Sequence, residues 1–195
     1  MSESRALEFH PVTRERWPDL DRLFRASAGE ELGNPSRCWC MEWRLESQQR
    51  WREQAGEANR EGMRRFVESG QIPGILAYVD GEPAGWCSVS PRATLIGMRA
   101  AGEFRHFEDA AVWSVICFYV PEQHRGIGLM RRMLQEAVRY AIENGASIVE
   151  GYPFVPERAD DGAGGTTKVF EQAGFVKVKE LLPGQFTMRY YPRNT

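Results

Sequence analysis

The chain has 195 residues, 27% of them charged, and a formal net charge of -2, which suits one sizeable core and argues against a nucleic-acid surface as its main business. Its longest apolar stretch, around Ala110 to Val120, is interrupted by Ser114 and too short to cross a bilayer, and MSESRALEFH lacks a secretory leader's pattern, so a cytoplasmic location without membrane partners is expected. Four cysteines are too few for a disulfide framework, and the C-x-C of RCWCMEW has no second close pair to complete a zinc site, so no metal is expected.

Ala6 to Val12 alternates as a short first strand. Thr13 is placed to cap a helix whose apolar positions are Trp17, Leu20, Leu23 and Phe24. Gly29 to Pro35 is turn-rich, and Cys38, Trp39, Cys40 and Trp43 read as an apolar segment packed near the core. Gln48 to Ser69 predicts a helix or a broken pair of helices, with Trp51, Ala55, Ala58, Phe66 and Val67 on a stripe and Gly62 as the weak point. Ile75–Val79 and Ala84–Val89 flank Asp80-Gly81, a strong hairpin signal. Arg92 to Ala110 lacks periodicity and reads as a long functional loop.

Val112 to Val120 is nearly continuous in apolar residues, as a central strand covered on both faces should be. A helix follows, with Ile127, Met130, Met133, Leu134, Ala137, Val138, Ala141 and Ile142 on one stripe and a stop at Asn144-Gly145. Then come a strand from Ser147 to Phe154, a loop to Gly165, a short helix from Thr166 to Gln172 and a last strand pair around Pro183-Gly184. The order β-α-α-β-β-β-α-β-α-β-β describes one α/β domain over residues 1–195 with a mixed sheet.

The junction between the central strand and its helix carries Pro121, Gln123, Arg125, Gly126 and Gly128. Glycines there leave backbone N–H groups pointing outward at a positive helix end, which makes an anion site. A tight turn needing permissive residues accounts for G-x-G alone equally well. The NTPase phosphate loop is absent, lacking its spacing, Lys and Ser/Thr; the dinucleotide fingerprint fails because Arg131 stands at its third glycine.

With that junction, VPEQHRGIGLMRRML resembles the acyl-CoA signature of the GNAT superfamily of N-acetyltransferases, Gln/Arg-x-x-Gly-x-Gly/Ala, here Gln123 to Gly128. FEQAGF, Phe170 to Phe175, resembles a second hallmark of that family, and the element order fits from Leu7 to Tyr190. The resemblance implies a mixed, mostly antiparallel central sheet flanked by helices. It implies acetyl-CoA as co-substrate and direct transfer, in a ternary complex, to a small-molecule or peptide amine. Carried over, the backbone at Phe118 and Val120 would bond the pantetheine arm. Gln123, His124, Arg125, Gly126, Ile127, Gly128 and Leu129 would surround the pyrophosphate, with His124 facing solvent and taking no catalytic part. A backbone N–H near Val120 would serve the oxyanion. A homodimer is compatible with all of this.

Many family members carry Tyr where this chain has Phe170, which sits by the coenzyme but has no proton to give. Either the thiolate leaves unaided, or another group protonates it, or the protein binds acyl-CoA as a sensor without efficient turnover. O-acyl transfer or a longer acyl chain are further alternatives. Glu150 and Tyr152, alternating onto one face of their strand, are the candidate base or relay, and an ordinary solvent-facing Glu150 is the competing reading. Glu108 and Asp109 are weaker candidates. Cys117 reads as an inert small hydrophobe, which disfavours a ping-pong thiol. Trp39, Trp43, Trp51 and Trp86 either wall an acceptor pocket or form plain core, and Asp160-Asp161 either attract a cationic amine or are solvated.

Overall fold

The computed structural model describes residues 5–27, 34–100, 111–161 and 164–192. The strands are β1 (Leu7–Pro11), β2 (Gly74–Val79), β3 (Glu82–Pro91), β4 (Val112–Tyr119), β5 (Ile148–Gly151), β6 (Val176–Leu182) and β7 (Gln185–Tyr190). They form one seven-stranded sheet in the order β1-β2-β3-β4-β5-β7-β6. Only β4 and β5 run parallel; the other neighbouring pairs are antiparallel. The helices are α1 (Trp17–Arg25), the single turn α2 (Pro35–Cys38), α3 (Gln48–Glu53), α4 (Glu57–Glu68), α5 (Ile96–Ala100), α6 (Leu129–Glu143) and α7 (Thr167–Gln172). The fold is therefore a mixed, mostly antiparallel sheet flanked by helices.

Local chemistry sets most boundaries. Asp80 and Gly81 both take positive φ, +51° and +82°, which suits the tight turn between two right-twisted strands. Thr166 caps α7 by accepting from the Val169 N–H, and α6 closes with the Ala146 N–H on the Ala141 carbonyl, 2.9 Å away. Thr13, in contrast, makes no side-chain cap; a 3-10 turn at Arg14–Arg16 leads into α1 instead, with Pro18 in its first turn.

The charged stretch after residue 47 is a broken pair, but the break falls at Gly56, not Gly62. Gly62 lies inside α4, where an added Cβ would sit 3.0 Å from Met41 Cε. Ala58 is exposed, and its neighbour Asn59 is the buried one. Asn59 donates to the carbonyls of Arg37 and Trp51, at 3.0 and 3.2 Å, and so ties α2 and α3 to α4. Part of the stretch read as a long loop is ordered as a 3-10 turn, Arg92–Thr94, and α5.

The sheet separates two apolar layers. On one face Met133, Leu134, Ala137 and Ala141 of α6 and Phe170 of α7 pack on Ala77, Val89, Val115 and Phe118. On the other, Leu20 and Phe24 of α1, Trp39, Trp51 and Met63 pack on Leu76 and Trp86. Trp39, Trp51 and Trp86 are therefore core, each contributing roughly 1.5–3 kcal/mol or more by leaving water. Ile127 and Ile142 do not belong to the buried stripe of α6; both are 37% exposed, one preceding the helix and the other a step off its apolar face. A third, smaller cluster holds Leu95, Met98 and Tyr152 with the half-buried Trp43, Ile116 and Leu181.

Candidate active site

The two parallel strands part. Their pairing runs from Val112↔Ile148 to Val115↔Gly151 and stops there, because β5 ends. On its other side β4 stays paired with β3, through Ser88↔Cys117, Cys87↔Phe118 and Trp86↔Tyr119. The backbone from Ile116 to Tyr119 thus faces a gap where β5 would continue. A bulge opens β4 at the start of this gap, since the register passes from Ser88↔Cys117 to Val89↔Val115 and leaves Ile116 unpaired; bulges of this kind increase local twist.

The gap leads to a cradle of backbone donors. After Pro121 a 3-10 turn, Glu122–His124, brings the chain to Gly126 and Gly128, both with positive φ, +79° and +76°. Nothing lies within 4 Å of a Cβ added at either glycine, so both face open space. Helix α6 then starts with no side-chain cap and no acidic residue in its first turn. Its first bond runs from Arg132 N–H to the Gly128 carbonyl, which leaves the N–H groups of residues 129–131 without intrahelical partners. An anion placed there gains about 0.3–1 kcal/mol from the helix dipole alone.

Gln123, Arg125 and Ile127 are exposed around this cradle, while the Leu129 side chain is buried and offers only its backbone. Arg125 Nε donates to the Val120 carbonyl at 3.1 Å and so closes the turn from β4. His124 does not simply face solvent: it is half-buried, and its Nδ1 is buried without a hydrogen-bond partner. With Arg22, Ser27, Tyr119, Gln123 and Arg125 it lines a cleft of about 740 Å³ between α1 and the cradle.

Beside the gap, one row of the sheet is polar and buried. Cross-strand pairing places Ser90, Ser114, Glu150 and Arg189 side by side on β3, β4, β5 and β7. Glu150 is 0% exposed, so the solvent-facing reading fails. Its Oε2 accepts from Arg189 Nε at 2.7 Å, and its Oε1 accepts from Tyr152 at 2.6 Å and from Arg92 Nη1 at 3.2 Å. The structure thus brings Glu150 and Tyr152 together as expected. Since Tyr152 gives its proton to Glu150, Ser114, 3.0 Å away, donates to the Tyr152 oxygen. Burial and then the neighbouring carboxylate push the Tyr152 phenol well above its ordinary range. Sequence reasoning did not find Arg92 and Arg189, which are 58 and 39 residues from Glu150. The signal available was a charged residue amid the alternating apolar pattern of β7.

Phe170 lies beneath the gap. It is 0% exposed, wedged against Gly151 and edge-on to Phe118 and Phe175, with ring centroids 6.2 and 4.9 Å apart. Contact with a ligand would need these neighbours to move. The Phe118 side chain is itself buried, so what β4 offers the gap there is backbone. Cys117 is half-buried beside Cys40, whose sulfur accepts from Trp86 Nε1 at 3.1 Å. The Cys40 thiol is pushed well up, first by its bond with Cys117, with burial adding to the rise. Glu108 and Asp109 lie outside the described residues, and Asp160 and Asp161 end a 3-10 segment, Pro156–Asp161. Among the described residues no three His, Cys, Asp or Glu side chains are arranged to hold a metal, and no helix is long and apolar enough to cross a membrane.

A forked parallel pair that opens onto a glycine-lined helix start gives this α/β protein a candidate site for an extended anionic ligand. The sequence profile of the acetyltransferase (GNAT) family matches residues 17–152, and the chain belongs to that family. Solved structures share the fold at low identity. The PaiA N-acetyltransferase of Thermoplasma acidophilum, solved with coenzyme A, is 13% identical over 96% of this chain and 99% of its own, with a TM-score of 0.56. AAC(6')-Ib with ribostamycin and coenzyme A is 15% identical over 95% and 93%, with a TM-score of 0.59. The GNAT domain of S. lividans PAT is 16% identical over 98% and 99%, with a TM-score of 0.57. No curated protein matches the chain by sequence.

Proposed function

We propose that this chain transfers an acetyl group from acetyl-CoA to an amine of a small molecule or peptide, directly within a ternary complex. The observation that carries this reading is the parting of β4 from β5 after Val115↔Gly151, immediately ahead of the cradle at Gly126 and Gly128. The backbone at Phe118 and Val120 would receive the pantetheine arm as a partner strand, with the Val120 carbonyl first released from Arg125. The donors from Gln123 to Leu129 would hold the pyrophosphate, with open space where side chains would otherwise obstruct it.

The thioester supplies an activated acyl group; the protein must take a proton from the attacking ammonium and steady the oxyanion. A backbone N–H near Val120 is assigned to the oxyanion. Glu150 and Tyr152 are assigned to the proton. The Tyr152 O–H already points at Glu150, so the amine's proton would pass to the Tyr152 oxygen as Tyr152 releases its own to Glu150. The raised phenol suits this, because Tyr152 enters the exchange as O–H.

A second reading, an acyl-CoA-binding module without turnover, is favoured by Phe170, which is buried and has no proton for the departing thiolate. Calorimetry with acetyl-CoA, followed by thiol release across a panel of amines that includes aminoglycosides, separates the two. Binding with turnover on at least one amine is expected. Binding without release on any amine would leave the module, and no binding at millimolar ligand would end both readings.

A further inference from the structure

We propose that Arg189 and Arg92 are positioning residues that set the opening of the fork between β4 and β5. The proposal rests on reading that fork as the acetyl-CoA site. β5 is only four residues long, so its own ladder does little to define the angle at which it leaves β4. The Ser114↔Glu150 row is the last but one before the strands part, and Gly151 ends the pairing.

On one face of that row, three elements converge on a single carboxylate. Arg189 reaches Glu150 from β7, Arg92 reaches it from the turn after β3, and Tyr152 links it to Ser114 of β4. On the opposite face Phe170 fills the space over Gly151, so β5 cannot settle toward α7. The strand end is held by directional bonds on one side and by a ring on the other.

Mere adhesion between β5 and β7 would be better served by apolar side chains, because burying ionised groups costs several kcal/mol of desolvation before their attraction is counted. What two guanidinium groups on one carboxylate add is geometry: one directional N–H bond to each oxygen, from two different elements, which together define one position for Glu150.

The two arginines differ in what else they hold. Arg189 lies on β7, which pairs with β5 on the side away from β4, so it holds the strand that forms one wall of the fork. Arg92 opens the segment that carries Leu95 and Met98, which pack on Tyr152. That segment is locked to the chain before α3, with the Gly97 N–H on the Trp43 carbonyl at 3.0 Å and the Leu45 carbonyl 2.7 Å from where a Gly97 Cβ would stand. The carboxylate that fixes the fork therefore also anchors the cover over the third apolar cluster, which holds Tyr152, the residue assigned to the amine's proton.

The test uses the full chain with Arg189→Lys and Arg92→Lys, which keep the charge but replace each placed guanidinium N–H with a flexible ammonium. Acetyl-CoA affinity is measured by calorimetry, the KM of the best panel amine by thiol release, and folding by thermal melting. Arg189→Lys is expected to weaken acetyl-CoA binding by about tenfold or more with the amine KM little changed. Arg92→Lys is expected to raise the amine KM by a similar factor with a smaller effect on acetyl-CoA. Variants that melt lower but bind acetyl-CoA and the amine as the unaltered protein does would show the arginines to be structural only, and the positioning proposal would fall while the coenzyme reading stood. An unaltered protein that does not bind acetyl-CoA would overturn both.

Discussion

Phe170 and Gly151 fit as ring against backbone: a Cβ added at Gly151 would lie 2.2 Å from Phe170 Cε1 and 2.7 Å from Cζ. No side chain other than hydrogen is compatible with that approach. Phe170 is thus a packing element in this chain, and the strand end beside the gap rests on it.

Gly151→Ala is therefore expected to destabilise the protein by about 1–3 kcal/mol, as overpacking in a filled core does. Phe170→Leu in the same chain should recover part of that loss, because it withdraws the atoms in conflict. Urea denaturation of the two single variants and the double variant measures the coupling; additive losses would refute the contact.

Phe170→Tyr adds a hydroxyl at a site with 0% exposure. An unpartnered buried hydroxyl costs about 1–3 kcal/mol. The expected outcome is a lower melting temperature with no gain in turnover. A rise in kcat would mean that the ring can reach the thiolate after all.

Gly126 separates backbone strain from ligand obstruction. At φ +79° with nothing within 4 Å of the Cβ position, Gly126→Ala should cost about 1–2 kcal/mol of conformational strain and weaken acetyl-CoA modestly. Gly126→Glu adds charge and bulk to the same cradle and should abolish binding. Equal affinities for these two variants, measured by calorimetry, would dismiss the pyrophosphate placement.

The Tyr152 phenol should keep its proton until the protein unfolds. Its folded pKa is raised above the unfolded value, so above pH 10 the unfolded chain loses a proton that the folded chain retains, and stability falls as pH rises through that range. A spectrophotometric titration of the unaltered protein against Tyr152→Phe should show one phenolate fewer in the variant, appearing only together with loss of structure. A Tyr152 phenolate formed in the folded state near pH 10 would contradict the burial argument.

Direct transfer predicts that Cys117→Ala keeps turnover within about twofold, since a half-buried thiol used only for packing contributes little to the barrier. Initial rates with both substrates varied should give intersecting lines. Parallel lines, or an acetyl group found on Cys117 by mass spectrometry, would reinstate a covalent route.

The elements that sequence reasoning located best are those whose physics is local. Asp80-Gly81 can turn the hairpin because both residues tolerate positive φ, and α6 follows from the spacing of Met133, Leu134, Ala137 and Ala141. The cradle glycines were legible for the same reason. What escaped depends on contacts between distant segments. Ile127 looks apolar enough to be buried, yet it stands before the helix begins and is exposed. The break falls at Gly56, which takes a φ of +87° just before α4, while Gly62 stays helical with Met41 packed close against it, a contact no local pattern records. Glu150 stood out as a candidate relay, yet a solvent-facing position competed with that reading because its two arginines arrive from a turn and a strand far along the chain. Periodicity assigns a face to a residue; it does not say what waits there.

The parallel strand β5 has a consequence for how the molecule is made. It is four residues long and lies between β4 and β7, so its hydrogen-bonding edge is completed only by the last hairpin of the chain. During synthesis, β1 to β4 and α6 can assemble before that hairpin leaves the ribosome, with β5 still an exposed strand edge. Arg189, the clasp on Glu150, emerges after β1 to β6 and α6. The nascent chain therefore has the glycine cradle well before it has a fixed fork, and ligand-linked stabilisation becomes available only once β7 has been made.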